Sequence, residues 1–447
     1  AGVSVALIEN NQIAHLYVAG DVNKDTATKV KKDTVFQVGS ISKPVAAWAI
    51  MHLVHLGKLN LDEPVSTYLT RWKLPASEFD LSMVTLRRLL SHTAGLSLSG
   101  YGGFEPDQVL PSLEDSLSGN TNGAGAVFIQ AEPGTVLSYS GGGYTLMQLI
   151  VEEASGMSYS NYVSEFILTP LAMYSASYEP NVQLLARTAD GHGYTGTVLP
   201  NFHYTAQAAA ALHATAKDLA KFAVANMKAN PVLTEATVEL MHSPAENTFD
   251  RYGLGFSLVG NGKIVGHGGA NRGWRAMIRF VPEIGAGIVV LTNSDSGDKL
   301  TSDAPCFWNT HYAIGYLDKD CRDRLDQKQE LALILVAIGV GFLLASAVVI
   351  WLMRKRYLSD HYGIDLSAYR AIGKLMGILV PTTILICWVT FWHTEVGPYL
   401  IFGSWHYRAA DVMPSEFLYL SCGLIVFVVS MIGLILLREK PKRAKPE

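Results

Sequence analysis

The residues best placed to do chemistry form one short motif, Ser40-Ile41-Ser42-Lys43, directly before an apolar helical pattern with Pro44 near its first turn. A serine at a helix N-terminus meets free backbone N–H groups and the positive end of the helix dipole, which favour a developing anion. Lys43 follows three residues later, so it shares a helical face with Ser40 and can take the hydroxyl proton. The motif predicts a nucleophilic serine with a lysine base, although an N-cap serine followed by a solvated lysine is commoner in general.

The same spacing recurs in Ser296-Gly297-Asp298-Lys299. This second copy follows a strand-like run, opens no obvious helix and lies among charged residues. We therefore interpret it as accidental.

Two glycine-rich segments further along the chain carry polar aromatic residues. Ser138-Tyr139-Ser140-Gly141-Gly142-Gly143 comes just before a helical pattern, and a tight turn there can hold the Tyr139 phenol toward a cleft, although a buried aromatic residue fits equally well. Gly266-His267-Gly268-Gly269-Ala270-Asn271 lies between strand-like runs. Paired glycines let another backbone approach closely, which suits a substrate lying along a sheet edge.

Strand-like runs lie at both ends of the region that contains these motifs, and helical patterns lie between them. The strand-like runs are 3–9, 12–18, 255–259, 263–266, 275–281 and 286–292, and the helical patterns are 44–56, 146–154 and 217–227. Asn10-Asn11 joins the first two runs as a hairpin turn. This order predicts an α+β domain with one antiparallel sheet built from both ends, an inserted helical lobe and a cleft between them.

The three motifs, Ser-x-x-Lys, Tyr-x-Gly and His-Gly-Gly in this order, resemble those of class C β-lactamases, DD-peptidases and related serine hydrolases. Flanking segments agree with the resemblance, which covers roughly residues 1–317; they are 35–40, 61–64, 89–96 and 168–173. The resemblance implies a β-lactamase/transpeptidase-like fold and hydrolysis through an acyl-enzyme. It implies no metal and no cofactor.

The resemblance also assigns roles to residues at matching positions. Ser40 would be the acylated nucleophile, and Lys43 and Tyr139 the proton-transfer pair. The backbone N–H groups of Ser40 and Ala270 would form the oxyanion hole, an effect typically worth ~3–4 kcal/mol per donor. His267 would face the substrate, with Gly269 beside it on the same strand.

Two departures from the pattern argue against a dedicated β-lactamase. The second motif ends in Gly141, where class C β-lactamases usually carry Asn, so one contact to the substrate amide is missing. The third motif begins with His267 rather than Lys, which weakens a permanent positive charge for a substrate carboxylate. Esterases and peptidases of the family commonly vary at these positions.

Long apolar runs after residue 330 suggest membrane spans. A hydrolase domain followed by such spans is similar to the colibactin-type prodrug-activating peptidases, which remove an N-acyl-D-asparagine cap from exported nonribosomal products. In that group a histidine and an asparagine help to hold the D-Asn side chain, and they match His213 and Asn271 here. A matching pocket serine is replaced by Gly141, so the pocket is only partly reproduced. Local patterns leave a core role for His213 and a loop-capping role for Asn271 open.

Three uncharged apolar runs, 331–353, 375–392 and 417–437, are each long enough, or nearly so, to cross a bilayer. Basic residues cluster between the first two runs and after the third, so the positive-inside rule places residues 1–330 outside a bacterial inner membrane and the C-terminus inside. We therefore predict a hydrolase domain at 1–320, a linker at 321–330, a three-helix membrane domain at 331–437 and a basic cytoplasmic tail at 438–447. Because the chain opens in strand-like sequence without Met, we expect its natural N-terminus to have been removed.

The net charge limits the kinds of partner that the chain is expected to bind. The net charge is −4 and no basic patch dominates the exported part, so nucleic acid is not an expected partner. The expected partners are a small acylated peptide-like substrate and the lipid bilayer.

Cys306 and Cys321 lie outside the predicted spans, where a disulfide between them can form. The sequence leaves open whether these two cysteines pair or stay as free thiols.

The sequence thus favours a membrane-bound serine peptidase that removes an N-acyl-D-amino acid cap from an exported metabolite. A cell-wall DD-carboxypeptidase or an esterase with the same machinery is the first alternative. A non-enzymatic penicillin sensor and a degenerate binding protein are further alternatives from other functional classes.

Overall fold

A computed structural model describes residues 1–311 except 121–123 and 195, and beyond them only the short pieces 337–338, 340–341, 344–348, 350–352, 355, 362–364, 424–427 and 437–439. The chain divides into two compact units, Ala1–Lys319 and Asp320–Glu447. The candidate site lies in the first unit.

The first unit is built on a seven-stranded antiparallel sheet with the order β3-β2-β1-β11-β10-β9-β8. Because β1 pairs with β11, both ends of the unit meet in the middle of the sheet, as predicted. The strands are β1 (Gly2–Glu9), β2 (Gln12–Asn23), β3 (Thr28–Lys29), β4 (Phe36–Gln37), β5 (Gly191–His192), β6 (Val198–Leu199), β7 (His213–Ala214), β8 (Ser257–Val259), β9 (Ile264–Asn271), β10 (Trp274–Val281) and β11 (Ala286–Thr292).

Turn chemistry explains the first hairpin. Asn10 and Asn11 have φ values of 49° and 61°, in the left-handed region that asparagine tolerates better than most residues. The strand β1 alternates fully buried and partly buried residues, so one of its faces packs against the core. The predicted hairpin is confirmed at this position.

Helices between the outer strands form the second lobe. They are α1 (Ser42–His55), α2 (Leu86–Leu90), α3 (Leu113–Leu117), α4 (Gly141–Ser155), α5 (Tyr159–Val163), α6 (Val182–Leu185), α7 (Gln207–Ala210), α8 (Ala216–Ala225), α9 (Glu235–His242) and α10 (Asp298–His311), with single turns at Gly39–Ile41, Val65–Thr67, Leu81–Met83, Ser164–Leu168, Pro282–Ile284 and Asp295–Gly297. The helix α1 is buried along almost its whole length, so its apolar residues surround the axis instead of forming one stripe. It is the central helix of the lobe, with α4 and α7 packed beside it.

The helix α4 begins five residues earlier than the apolar pattern predicts. Three glycines at its start disfavour helix, but Ser140 caps the first turn by accepting a hydrogen bond from the Gly143 N–H at 2.9 Å. Close packing also requires small residues here, because a Cβ on Gly142 would lie 2.8 Å from the Ser97 carbonyl oxygen. Tertiary packing therefore outweighs intrinsic propensity in this turn.

Little of the second unit is described. Within it, β12 (Tyr362–Ile364) and β13 (Leu437–Glu439) pair antiparallel. Among the described residues, no helix has the length and apolar character needed to cross a membrane. The three predicted spans lie largely outside the described residues. Cys306 is disulfide-bonded, and its partner also lies outside them.

Candidate active site

Ser40 and Lys43 lie where the chain passes from a single helical turn, Gly39–Ile41, into α1. Ser40 therefore lies in the short turn directly before α1, at the N-terminal end of this helix. Lys43 is only 1% exposed, and its Nζ atom lies 3.0 Å from Ser40 Oγ and 2.9 Å from the Ala209 carbonyl oxygen. No carboxylate among the described residues forms an ion pair with Lys43.

Tyr139 faces the same space from the other side. It lies in the extended segment that leads into α4, and the centre of its ring is 4.9 Å from Lys43 Nζ. The ring is 37% exposed, so the space opens to solvent beside it. The structure thus brings together the three side chains of the predicted proton-transfer group. Tyr144, near the start of α4, is fully buried and packs within the lobe.

On the side of the site opposite Tyr139, backbone atoms rather than side chains line the space. Gly39 has φ 51°, and a Cβ at this residue would lie 2.7 Å from the Ala270 nitrogen. A Cβ on Gly269 would lie 2.0 Å from the Val38 carbonyl oxygen. The strand β9 and the turn before α1 therefore run in direct contact, which places the Ala270 N–H close to the Ser40 backbone.

Gly269→Ala should disrupt this contact. Because the new methyl group would meet backbone rather than a flexible side chain, we expect a loss of about 2–3 kcal/mol in the free energy of unfolding together with a large loss of activity. Denaturant unfolding and ester hydrolysis by the full chain measure the two effects. The matched control is Gly268→Ala, where the nearest atom to a new Cβ is the flexible Met277 Cε at 3.5 Å. Equal stability of the two variants would contradict the close approach.

A buried line of hydrogen bonds runs behind Tyr139. The Ser140 N–H donates to His92 Nδ1 at 3.0 Å, His92 Nε2 lies 3.2 Å from Tyr252 Oη, and Tyr252 Oη lies 2.8 Å from His267 Nε2. Burial lowers the pKa of His267 to about 3 and that of His92 well below its usual value, with Lys43 adding repulsion in both cases. Both imidazoles are therefore neutral near pH 7.

Sequence patterns do not single out Tyr252, and His92 belongs only to the flanking segment 89–96. The His92 ring centre lies 4.2 Å from that of Tyr139, so the imidazole supports the candidate catalytic phenol directly. Tyr252 comes just before the strand-like run at 255–259, and its position in the run Tyr252-Gly253-Leu254-Gly255 carries no pattern that pairs it with residue 92 or 267. The contact arises from tertiary structure alone.

Gln37 contacts both of the residues that are predicted to hold a substrate side chain. The Asn271 Nδ2 group donates to Gln37 Oε1 at 2.9 Å and to the Ala210 carbonyl oxygen at 3.1 Å. His213 lies opposite Gln37 in the β4–β7 pair and donates from Nδ1 to the Ala211 carbonyl oxygen at 3.0 Å. Burial lowers the pKa of His213 to about 4, so this imidazole is neutral and its Nε2 atom is an acceptor. The structure therefore brings His213 and Asn271 together at Gln37. Only this tertiary contact, and no sequence motif, identifies Gln37 as part of the group.

Gly141 contributes no side chain to the site. It is the first residue of α4, and a Cβ there would lie 3.2 Å from the Ser99 carbonyl oxygen and 3.4 Å from the Tyr101 ring. The Ser99 backbone and the Tyr101 ring thus occupy the space beside Gly141.

A salt-bridged turn holds the end of β9. Arg275 Nη1 donates to the Asn271 carbonyl oxygen at 3.0 Å and to Asp295 Oδ1 at 2.7 Å, and Asp295 Oδ1 also accepts the Gly273 N–H at 2.9 Å. Arg275 is largely buried, so these bonds are shielded from water. They fix the turn that carries Asn271. Trp274, the first residue of β10, is fully buried and packs in the core.

In the second Ser-x-x-Lys copy, the serine and the lysine do not contact each other as Ser40 and Lys43 do. Contrary to expectation it does lead into a helix, since α10 begins at Asp298. However, Ser296 Oγ donates to the Tyr194 carbonyl oxygen at 3.1 Å, and Lys299 Nζ pairs with Asp303 at 3.3 Å. Ser296 and Lys299 are engaged separately, so the accidental interpretation stands.

Comparison with known proteins agrees with this architecture. A family model described as Beta-lactamase matches residues 1–305. The chain is 28% identical over 317 residues to penicillin-binding protein 4 of Amycolatopsis lactamdurans, covering 65% of this chain and 80% of that protein.

Solved structures of similar proteins have the same fold as this chain. A penicillin-binding protein homologue from Pyrococcus abyssi superposes with a TM-score of 0.56 at 26% identity over 66% of this chain and 69% of that one. A D-amino acid amidase from Ochrobactrum anthropi, complexed with D-phenylalanine, has a TM-score of 0.56 at 25% identity over 66% of this chain and 87% of that one. The chain therefore belongs to the Beta-lactamase family and is a serine hydrolase with a β-lactamase/transpeptidase-like α+β fold.

Proposed function

We propose that this protein is a membrane-bound peptidase that removes an N-acyl-D-amino acid cap, with N-acyl-D-Asn as the first candidate, from an exported nonribosomal metabolite through an acyl-enzyme on Ser40. The observation that carries the proposal is the meeting of Lys43 Nζ, Ser40 Oγ and the Tyr139 ring in one space that opens to solvent. A serine hydroxyl is a weak nucleophile until a neighbouring base takes its proton, and Lys43 and Tyr139 are the groups within reach.

In the proposed reaction Ser40 Oγ attacks the carbonyl carbon of the D-residue while its proton passes to Lys43 and Tyr139. The oxygen of the tetrahedral intermediate is stabilised by the N–H groups of Ser40 and Ala270. The C–N bond then breaks, and the stored proton goes to the leaving amine. Water attacks the resulting ester, gives one proton back through Lys43 and Tyr139 to Ser40 Oγ, and releases the N-acyl-D-amino acid.

Two acceptor atoms beside Gln37 support a neutral polar side chain in the substrate. His213 Nε2 and Asn271 Oδ1 are both acceptors, because the donors of these two side chains are engaged by backbone carbonyls and Gln37. An asparagine amide has an NH₂ group to donate to them, whereas a carboxylate has none. The likeness to a D-amino acid amidase supports the D configuration.

The alternative within the same machinery is a DD-carboxypeptidase that acts on cell-wall peptides. It is supported by the likeness to a penicillin-binding protein. Against it stands the neutral His267, which offers no positive charge to the terminal carboxylate of such a peptide.

The three apolar runs and their basic flanks support the membrane location in this proposal, with residues 1–330 on the extracytoplasmic side. An acyl tail in the substrate could then stay against lipid while its amide enters the cleft. A cysteine-labelling experiment with a membrane-impermeant maleimide on residues introduced in the basic stretches tests the orientation.

Competing substrates test the catalytic proposal. We expect the full chain to cleave an N-acyl-D-Asn anilide, to leave the L-Asn epimer intact, and to release no D-Ala from an acyl peptide ending in D-Ala-D-Ala. Mass spectrometry of the products measures all three. Release of D-Ala without cleavage of the D-Asn anilide would contradict the peptidase proposal in favour of the carboxypeptidase.

A further inference from the structure

Arg272 lies in the tight turn that joins β9 to β10. Asn271 pairs with Trp274 across the two strands, which leaves a turn of only two residues between them. Arg272 is partly exposed, and the central carbon of its guanidinium group lies 4.1 Å from the centre of the Phe202 ring. A guanidinium that lies over an aromatic ring keeps the N–H groups at its edges, where they can bind a planar anion.

The Phe202 ring under this cation is fixed in place. Phe202 is only 3% exposed, and its carbonyl oxygen accepts a hydrogen bond from Gln37 Nε2 at 3.0 Å. The next residue, His203, exchanges two backbone hydrogen bonds of 2.8 Å with Phe104. The ring therefore holds the Arg272 guanidinium in the part of the site that contains Gln37.

Arg272 differs from the second arginine of this hairpin in its charge environment. Arg275 is largely buried and pairs with Asp295 at 2.7 Å and with Asp298 at 2.6 Å. Of the ion pairs within the part of the chain that the structure describes, none includes Arg272. A carboxylate supplied by a ligand would match this guanidinium in both charge and shape.

The position of Arg272 along the chain decides which half of a substrate it meets. Tyr139 takes part in delivering the proton to the leaving amine in the proposed reaction, and its ring centre lies 6.1 Å from that of His267. The leaving amine therefore departs toward the His267 end of β9. Arg272 lies beyond Ala270 in the other direction, about 7 Å further along two residues of extended chain. It is therefore on the side of the acyl half of the substrate.

We infer that Arg272 is a specificity-determining residue that binds a carboxylate on the acyl half of the substrate. The acidic group would lie between the D-residue and any acyl tail of the proposed cap. Two parallel N–H···O bonds from the guanidinium to such a group are shorter and stronger than bonds between neutral groups. The inference rests on the proposed function in taking Ser40 as the nucleophile and Tyr139 as a group on the leaving side.

A matched pair of activated esters tests the inference on the full chain. The pair is mono-4-nitrophenyl suberate and its methyl ester, which share the leaving group and the acyl chain and differ only in the distal carboxylate. Release of 4-nitrophenolate is measured, and hydrolysis by Ser40→Ala is subtracted as background. We expect kcat/KM to favour the free acid by about tenfold, because only the free acid can pair with the guanidinium.

Arg272→Gln removes the charge and the two-pronged donor but keeps a polar side chain. In this variant the ratio of the two kcat/KM values should fall to about one. Arg251→Gln is the matched control, since it removes the same charge from an exposed residue outside the β9–β10 turn, and it should keep the wild-type ratio. A merely structural Arg272 would lower both kcat/KM values equally and leave their ratio unchanged.

The outcomes are separable. A wild-type ratio near one would overturn the inference, even if Arg272→Gln does not fold. A preference for the free acid that survives in Arg272→Gln, or that falls equally in Arg251→Gln, would also overturn it, because another group or the net charge would then select the acid. Failure of the wild type to hydrolyse either ester above the Ser40→Ala background would instead refute the proposed nucleophile.

Discussion

Ser40→Ala should abolish covalent labelling by a fluorophosphonate probe and lower kcat/KM for any ester substrate by about 10⁴-fold or more. The variant removes the only atom proposed to bond to the substrate acyl group, while Lys43 keeps its bond to the Ala209 carbonyl oxygen. We expect the fold to survive, because Ser40 Oγ makes no other hydrogen bond among the described residues.

Ser296→Ala is the matched control for this experiment, since Ser296 heads the second copy of the same spacing and is exposed. It should label at the wild-type rate. Labelling that survives in Ser40→Ala and disappears in Ser296→Ala would transfer the nucleophile to the start of α10. Labelling that survives in both would place it at a third serine.

Lys43→Met should lower the rate of acylation by about 10³-fold while leaving the protein folded. Methionine fills the volume of the lysine stem without the amine, so the buried space in α1 stays occupied while the proton acceptor next to Ser40 is lost. The cost to folding should be small, about 1 kcal/mol, because the Ala209 carbonyl oxygen loses one donor. Stopped-flow labelling and denaturant unfolding separate the two effects.

Lys299→Met provides the comparison, since its amine is exposed and pairs only with Asp303 among the described residues. We expect wild-type acylation in this variant. If Lys43→Met retained activity within tenfold of wild type, another base would have to accept the Ser40 proton, and Tyr139 would be the first group to replace.

Local sequence patterns were sufficient to predict the sheet and the Ser40–Lys43 pair. Asn10-Asn11 can adopt the left-handed conformation of a tight hairpin, and the spacing of Ser40 and Lys43 brings them onto one face of a helical segment. Both features depend on residues that are close in the chain, so short patterns are sufficient to find them.

The environment of His267 could not be predicted in the same way. Its partner Tyr252 and the supporting His92 come from separate segments, and neither a repeat nor a fixed spacing links them. The Gln37 contact to Asn271 joins residues from opposite ends of the unit. Packing of the lobe on the sheet creates these contacts, and the same packing starts α4 within a run of glycines that favours a loop.

The pairing of β1 with β11 has a consequence for how the molecule acquires its structure. Val3 lies opposite Thr292, so the middle of the sheet joins residues with nearly the greatest sequence separation that the first unit allows. Such a high contact order slows folding, because a long loop must close before the pairing contributes free energy. During synthesis the hairpin of β1 and β2 has to wait with one unpaired edge until β10 and β11 emerge. A chain that stops before residue 286 should accumulate as an aggregation-prone intermediate rather than a smaller stable domain.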